Sequence, residues 1–163
     1  MQITNETATL SYFNGFPYLD QVVKEGLRIR PTFGFVLREL TSGVTFRGYT
    51  FPKGSQVILN IFGVHHDSEI YPNPDKFHPD RFSPQNKESI SKAFIPFAVG
   101  PRRCIGQTFA ILEMKIIIAT IIKNFKIVSP KPVDQVEYDI DFICFFKQPL
   151  FVEFHSRLEH SSE

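Results

Sequence analysis

Residues 97–106 read Phe-Ala-Val-Gly-Pro-Arg-Arg-Cys-Ile-Gly and run directly into a long apolar segment. Cys104 lies next to two arginines, between Gly100 and Gly106, with the start of a predicted helix immediately behind it. Cationic neighbours and a helix N-terminus both favour the thiolate form of a cysteine. The glycines allow close approaches that a Cβ atom would block. A structural cysteine buried in a Gly/Pro turn is the simpler alternative, but the whole arrangement favours a bound thiolate.

The composition describes one globular domain or a piece of a larger one. The chain has 163 residues, 42% of them hydrophobic, with a net charge of +1. Eighteen phenylalanines and no tryptophan indicate a large aromatic interior. The near-zero net charge argues against a nucleic-acid partner, because binding to phosphates needs a basic excess.

Cysteine content and hydropathy restrict the chain further. The two cysteines, Cys104 and Cys144, form no disulfide framework, and we expect both to be reduced. A membrane-spanning helix needs roughly 20 apolar residues. The best candidate, residues 105–122, is interrupted by Gln107, Glu113 and Lys115. The N-terminal residues contain no signal-peptide apolar region, so we expect no membrane anchor in this polypeptide.

The first half of the chain predicts one helix and a small antiparallel sheet. Pro17 can open a helix, an apolar stripe follows, and Pro31 ends it. Gly26 weakens this helix without breaking it. The next residues form short aromatic or β-branched runs divided by Gly and Pro, which is typical of strands at 33–37, 44–46, 49–51 and 56–61.

The second half predicts a meander, a long helix and two strands. Residues 62–101 contain six prolines, which exclude a long helix, while their phenylalanines argue against disorder. Apolar residues at three- and four-residue steps predict a helix over 105–125, buried on most sides in its second half. Residues 136–155 predict two strands around the loop 147–149. The fold class is therefore α+β, with an N-terminal loop at 1–16, the domain at 17–157 and a polar tail at 158–163.

The cysteine loop resembles that of a known family. Phe97, Gly100, Arg102, Cys104 and Gly106 match, in order and spacing, the haem-binding loop of the cytochrome P450 superfamily, the haem-thiolate monooxygenases. The resemblance implies that Cys104 is the proximal ligand of the iron in haem b. In that family the thiolate donates electron density that favours O–O cleavage. Phe97 would shield the sulfur, and Gly106 would let backbone N–H groups approach it.

Two further motifs extend the resemblance. Glu25 and Arg28 look like the family's Glu-x-x-Arg pair, which is structural and lies beneath the haem. Residues 77–82, Phe-His-Pro-Asp-Arg-Phe, resemble the meander motif whose arginine, here Arg81, completes a network with that pair. Without the resemblance, Glu25 and Arg28 would be interpreted as an exposed ion pair three residues apart on a helix.

The resemblance also implies contacts with the haem propionates. Arg38 matches the strand arginine that contacts a propionate, Arg102 is expected to do the same, and His65 lies where the family often has such a histidine. Taken alone, Arg38 would be a surface charge. The histidines at 65, 66 and 78 could suggest zinc, but structural zinc sites usually show paired ligands at short spacing, which are not found here.

The resemblance covers about residues 17–157 and corresponds to the C-terminal part of a full-length member of the family. We therefore expect a fragment or truncated form that lacks the distal oxygen-activating helix, exposes apolar surface and is inactive at this length. The longer parent would bind O2 and a small lipophilic substrate, as in fatty-acid hydroxylases, and take electrons from a reductase at the endoplasmic reticulum membrane. The alternatives are a non-catalytic haem-binding or interaction module and a plain α+β domain with a chance loop match.

Overall fold

The computed structural model describes residues 15–86, 90, 92–132, 135–140 and 142–157. Most of the expected N-terminal loop, residues 1–14, and the expected polar tail at 158–163 lie outside the described residues. The described part mixes helices with four small two-stranded antiparallel sheets, so the predicted α+β class is confirmed at this level.

The first helix, α1, spans Pro17–Ile29. Proline is tolerated at its first turn because the N–H that it lacks would be unpaired there. The helix ends where the Arg30 N–H bonds the Gly26 carbonyl at 2.9 Å, one residue before Pro31. The buried face of α1 combines the apolar residues Val23 and Ile29 with polar ones, namely Gln21, Glu25 and Arg28.

The strands after α1 form two sheets, where the sequence predicted one. β1 (Phe35–Glu39) pairs with β4 (Gln56–Asn60), and β2 (Val44–Phe46) pairs with β3 (Tyr49–Phe51). The β2–β3 turn places Arg47 at φ 50° and Gly48 at φ 84°, the two positive values of a tight hairpin whose twist matches its strands. The hairpin therefore stands as a separate unit.

The proline-rich segment has the predicted irregular course. A short helix α2 (Ile61–His65) opens it, capped by the Asn60 Oδ1, which accepts from the Gly63 N–H at 2.8 Å. Two 3-10 turns follow at Pro79–Phe82 and Pro84–Asn86. Its described residues contain no long helix, as the proline density predicted.

The long helix α3 spans Gln107–Asn124 and continues into β5 (Phe125–Val128). β5 pairs with β8 (Glu153–Ser156), while β6 (Tyr138–Ile140) pairs with β7 (Cys144–Phe146). The predicted strands on either side of the loop 147–149 are present as β7 and β8, but the range 136–155 also contains a third strand, β6. That loop joins β7 to β8, but each of these strands pairs with a different partner.

Burial is concentrated where α1 meets the meander. Among the described residues, the buried apolar side chains include Val23, Ile29, Ile61, Tyr71 and Ile90. The expectation that the second half of α3 is buried is wrong, because Ile117 and Ile122 are half exposed. Within the described ranges, no helix is long and apolar enough to span a membrane.

Candidate functional site

A fully buried ion pair lies at the centre of the described structure. Glu25 and Arg28 have no exposed surface. The Arg28 Nε donates to the Glu25 Oε2 at 2.8 Å, and Nη2 donates to Oε1 at 2.9 Å, so the guanidinium and carboxylate are bidentate. Helical spacing of three residues places both groups on one face of α1. This face points inward, not to solvent.

Arg28 also ties α1 to the meander through backbone carbonyls. Its Nη1 donates to the His65 carbonyl at 2.7 Å, and Nη2 donates to the Pro74 carbonyl at 2.6 Å. A third, longer bond reaches the Lys76 carbonyl at 3.5 Å. A planar guanidinium with five N–H donors can serve several acceptors at once. One side chain thus holds a proline-rich segment that has little regular structure of its own.

Arg81 approaches the same carboxylate from the meander. Its Nε donates to the Glu25 Oε1 at 3.3 Å, and its Nη2 donates to the Asn73 carbonyl at 2.7 Å. The His78 N–H donates to the same carboxylate oxygen at 2.9 Å. The structure therefore brings Arg81 and Arg28 together through their shared partner, Glu25.

The cysteine loop is closed by two backbone hydrogen bonds. The Cys104 N–H donates to the Phe97 carbonyl at 2.9 Å, and the Ala98 N–H donates to the Ile95 carbonyl at 3.0 Å. Ala98 at φ 59° and Gly100 at φ 81° both adopt the left-handed conformation. A glycine at position 100 is favoured because side chains strain that conformation. The loop leaves the Cys104 side chain exposed.

Gly106 links the loop to α3. It is the residue that precedes the first helical residue, and its carbonyl accepts from the Ala110 N–H at 2.9 Å. A Cβ atom built on Gly106 would lie 3.8 Å from the Cys104 Sγ. The sulfur therefore lies close to the helix N-terminus, where the unpaired N–H groups favour a negative charge.

A cavity of about 330 Å³ opens beside this loop. It is lined by Leu27, Thr32, Phe33, Val36, Arg38, Ile61, Pro96, Phe97, Ala98, Arg102 and Cys104. Four predicted site residues, Arg38, Phe97, Arg102 and Cys104, therefore share one cavity. Arg38 and Val36 enter it from the same face of β1, as residues two apart on a strand do. A larger cavity near Arg81 contains none of the cysteine-loop residues.

His65 does not line this cavity. The ring is fully buried, and its Nε2 accepts from the Ile95 N–H at 3.0 Å. Burial, with the nearby positive charge of Arg28, lowers the pKa of His65 to about 4. Because Nε2 accepts, the neutral ring carries its proton on Nδ1, a donor that has no hydrogen-bond partner among the described residues. The propionate contact of His65 therefore stays a prediction.

An ion pair between α1 and α3, with a buried lysine, has no counterpart among the sequence motifs. The Lys115 Nζ lies 2.6 Å from the Asp20 Oδ1, and the Lys24 Nζ lies 2.5 Å from Oδ2. Burial tends to raise the pKa of Asp20, but the hydrogen bonds from Lys115 and Lys24 outweigh it and hold that pKa below its ordinary value. Lys115 had been interpreted only as an interruption of an apolar segment. Its position inside the otherwise apolar helical stripe was the available signal.

The cavity residues fit a haem group. A flat apolar macrocycle with two carboxylates and a central iron needs apolar walls, cations and one axial ligand. Leu27, Val36 and Ile61 supply apolar wall, Arg38 and Arg102 supply guanidinium groups, and Cys104 supplies sulfur, the soft ligand that suits haem iron. In the part of the chain that the structure describes, no group of three His, Cys, Asp or Glu side chains is placed to hold a metal ion by itself.

Comparisons with known proteins agree on one family. The family model described as Cytochrome P450 matches residues 3–152. Rat Cytochrome P450 4A10 is 42% identical over 125 residues, which are 76% of this chain and 24% of the rat protein. Mouse Leukotriene-B4 omega-hydroxylase 3 is 42% identical over 68% of this chain and 22% of its own length. Probable cytochrome P450 4ac1 of Drosophila melanogaster is 33% identical over 95% of this chain and 31% of its own length.

Among solved structures, cyanobacterial CYP120A1 with bound retinoic acid superposes with a TM-score of 0.82 and 37% identity. The match covers 96% of this chain and 36% of the cyanobacterial one. The chain therefore spans less than a third of the length of the curated relatives above. With a family model matched over most of its length and relatives above 30% identity, this chain belongs to the cytochrome P450 family, whose cofactor is haem iron.

Proposed function

We propose that this chain forms the proximal part of a haem-thiolate site, in which Cys104 would hold the iron. The observation that carries the proposal is the shared cavity, in which a thiol and two guanidinium groups meet an otherwise apolar wall. When bound, haem supplies iron-centred activation of O2, which side chains alone do not provide. Residues 17–157 would then be the C-terminal part of a longer haem-thiolate monooxygenase domain.

The cysteine loop has the features of a preformed ligand holder. The bond from the Cys104 N–H to the Phe97 carbonyl fixes the backbone on both sides of the sulfur. Gly106 leaves space beside the sulfur for N–H groups at the start of α3, which would stabilise a thiolate. Phe97 contributes an apolar ring to the cavity wall and limits the access of water.

Arg38 and Arg102 would orient the cofactor through its carboxylates. Arginine pairs well with carboxylates because its N–H groups form charge-assisted, often bidentate hydrogen bonds. The Arg38 Nη1 donates to the Leu37 carbonyl at 2.7 Å, so its guanidinium is already held at the cavity. Glu25 and Arg28 do not line the cavity, and they hold the meander against α1.

For the substrate we propose a long-chain lipid that carries a carboxylate. One relative is named as a leukotriene-B4 omega-hydroxylase, and the structural neighbour was solved with retinoic acid. Both names refer to lipophilic carboxylic acids. The longer protein would work at the endoplasmic reticulum membrane with an electron-donating reductase. Incubating that protein with reductase and fatty acids tests this: a hydroxylated product supports a monooxygenase, whereas haem uptake without any product favours the non-catalytic haem-binding module.

The cofactor contacts can be tested on the chain itself by haem titration, followed through the Soret band. Arg38→Gln with Arg102→Gln should weaken binding by roughly tenfold or more, since each loses a charge-assisted bond. Haem dimethyl ester, which has no carboxylates, should bind the double variant and the parent chain equally. The matched control is Arg47→Gln, in the β2–β3 hairpin, which should leave haem affinity unchanged. Equal haem affinity in parent and double variant would contradict the assignment of both arginines.

A further inference from the structure

Lys115 has an unusual place in its helix. All eighteen residues of α3 are described, and Lys115 is the only buried one, with 2% of its surface exposed. The apolar neighbours Phe109 and Ile117 are 70% and 50% exposed. The ordinary pattern of an amphipathic helix, with apolar residues inside and charges outside, is therefore reversed at the contact with α1.

The Asp20 carboxylate offsets the cost of burying the Lys115 charge. An unpaired ammonium in the interior would be strongly unfavourable. The Asp20 carboxylate, 30% exposed, accepts from Lys115 at 2.6 Å on one oxygen and from Lys24 at 2.5 Å on the other. Lys24 is 34% exposed and lies on the same helix as Asp20, so only the bond from Lys115 joins two elements. Asp20 thus has one bond within α1 and one to α3.

The contact between Asp20 and Lys115 is linked through α3 to the Cys104 loop and through α1 to Glu25. On α3, Lys115 lies eight residues after Gln107, which corresponds to about 12 Å along the axis. The N-terminus of α3, preceded by Gly106, lies close to the Cys104 sulfur. On α1, Asp20 lies five residues before Glu25, about 7.5 Å along its axis. A bond between the two helices therefore fixes the start of α3 relative to the element that carries Glu25.

We infer that the Asp20–Lys115 pair is a positioning device that sets the N-terminus of α3 against the Cys104 sulfur. The role for haem rests on the proposed function, whereas the placement of α3 does not. A buried ion pair suits this task because its geometry is directional, unlike an apolar contact that tolerates sliding. Neither Asp20 nor Lys115 touches the cavity; both act through α3.

The direct test is hydrogen exchange on the peptide 97–110, which needs no haem. Lys115→Met keeps the shape of the side chain and leaves Asp20 with Lys24, so no unpaired buried charge remains. We expect the exchange rate in 97–110 to rise by about tenfold, because the loss of one charge-assisted hydrogen bond makes local opening easier. The exchange rate in the β2–β3 hairpin should stay the same. If the methionine variant does not fold, exchange in 97–110 is compared between the parent chain and Lys115→Gln, which loses the charge but can still donate a hydrogen bond.

Two controls separate positioning from general stability. Lys24→Met removes the other partner of Asp20 and should leave exchange in 97–110 unchanged. Lys115→Arg keeps the charge and should restore most of the protection. Unchanged exchange in a folded Lys115→Met chain would overturn the inference, and so would an equal effect of Lys24→Met.

A second readout connects the pair to the sulfur. In the haem-loaded chain, Lys115→Met should release haem roughly threefold to tenfold faster, a smaller change than groups beside a metal ligand produce. It should also reduce the red-shifted, thiolate-type Soret band of the carbon monoxide complex. If the parent chain shows no such band, the proposed function fails, while the exchange comparison still decides whether the pair positions α3.

Discussion

Glu25 is a carboxylate without contact with water that accepts four hydrogen bonds, two from Arg28 and one each from the His78 N–H and Arg81. Burying a charge is unfavourable unless hydrogen bonds replace those lost from water. Here they come from two segments far apart in the sequence, so the carboxylate sets the position of the meander relative to α1. At this scale the chain uses charge, more than apolar volume, to fix its interior.

Replacing this carboxylate by an amide should be costly. In Glu25→Gln, Arg28 stays buried opposite a neutral amide whose NH2 group cannot accept a hydrogen bond, so the bidentate pair is lost. We expect the free energy of unfolding to fall by about 3–5 kcal/mol. Urea unfolding followed by circular dichroism measures the change. Glu39→Gln, at an exposed strand position, is the control and should change stability by less than about 0.5 kcal/mol. Equal effects of the two substitutions would refute the central role of Glu25.

His65 should make stability depend on pH. Its pKa is lowered from 6.5 to about 4 in the folded chain, chiefly by burial. The unfolded state therefore binds the proton more tightly between these values, and stability present above pH 6.5 is lost as the pH falls toward 4, up to about 3 kcal/mol. Thermal melts from pH 7 to pH 4 test this. His65→Gln should flatten the pH dependence of stability in this window. An unaltered slope would show that His65 is not the group that causes it.

At the residue scale, the family resemblance predicted which side chains would meet but not every role. Arg38, Phe97, Arg102 and Cys104 share one cavity, and Glu25, Arg28 and Arg81 share one network. For His65 the propionate contact stays a prediction, and the sequence does not show that an N–H of a distant loop, that of Ile95, occupies one of its ring nitrogens. Long-range hydrogen bonds of this kind leave no periodic signal.

At the scale of elements, short sequence signals predicted those helices and turns that depend only on neighbouring residues. Pro17 and Pro31 delimit α1, and the positive φ values of Arg47 and Gly48 form the turn between two predicted strands. The partners of the C-terminal strands had no local signal, because β5 and β8 are far apart in the chain. Side-chain alternation marks a strand but does not name its partner.

Gly26 offers a test of helix propensity in α1. A Cβ atom built there would meet nothing within 4 Å, and the residue has helical geometry. Gly26→Ala should therefore stabilise the chain by about 0.5–1 kcal/mol, seen as a higher melting temperature. Gly100→Ala is the matched comparison: it also has space but a φ of 81°, so alanine should destabilise there. A loss of stability in Gly26→Ala would show that the helix needs this glycine for another reason.

At the scale of the whole molecule, burial is uneven. The contact of α1 with the meander is closed, whereas α3 presents Phe109 and Ile117 to solvent. Apolar surface of this extent promotes association. Exposed apolar surface was expected, because the resemblance covers only the C-terminal part of a family member. The expectation that the second half of α3 is buried was wrong, because periodicity shows which residues are apolar and not what covers them.

The chain alone should self-associate with increasing concentration. Phe109→Gln with Ile117→Gln should reduce this association, measured by light scattering, with little change in melting temperature because both side chains are half exposed or more. Tyr18→Gln, at another exposed position, controls for a general gain in solubility. A double variant that melts far lower and associates as before would show that this face of α3 is not the associating surface.

The central claim is that Cys104 binds haem iron as a thiolate, and the reduced, carbon monoxide-bound absorption spectrum tests it most directly. The parent chain and Cys144→Ser should both show the strongly red-shifted Soret band of thiolate ligation. Cys104→Ser should lose that band, because a serine hydroxyl does not replace the sulfur. A parent chain without the band, or a Cys104→Ser spectrum identical to the parent's, would contradict the account.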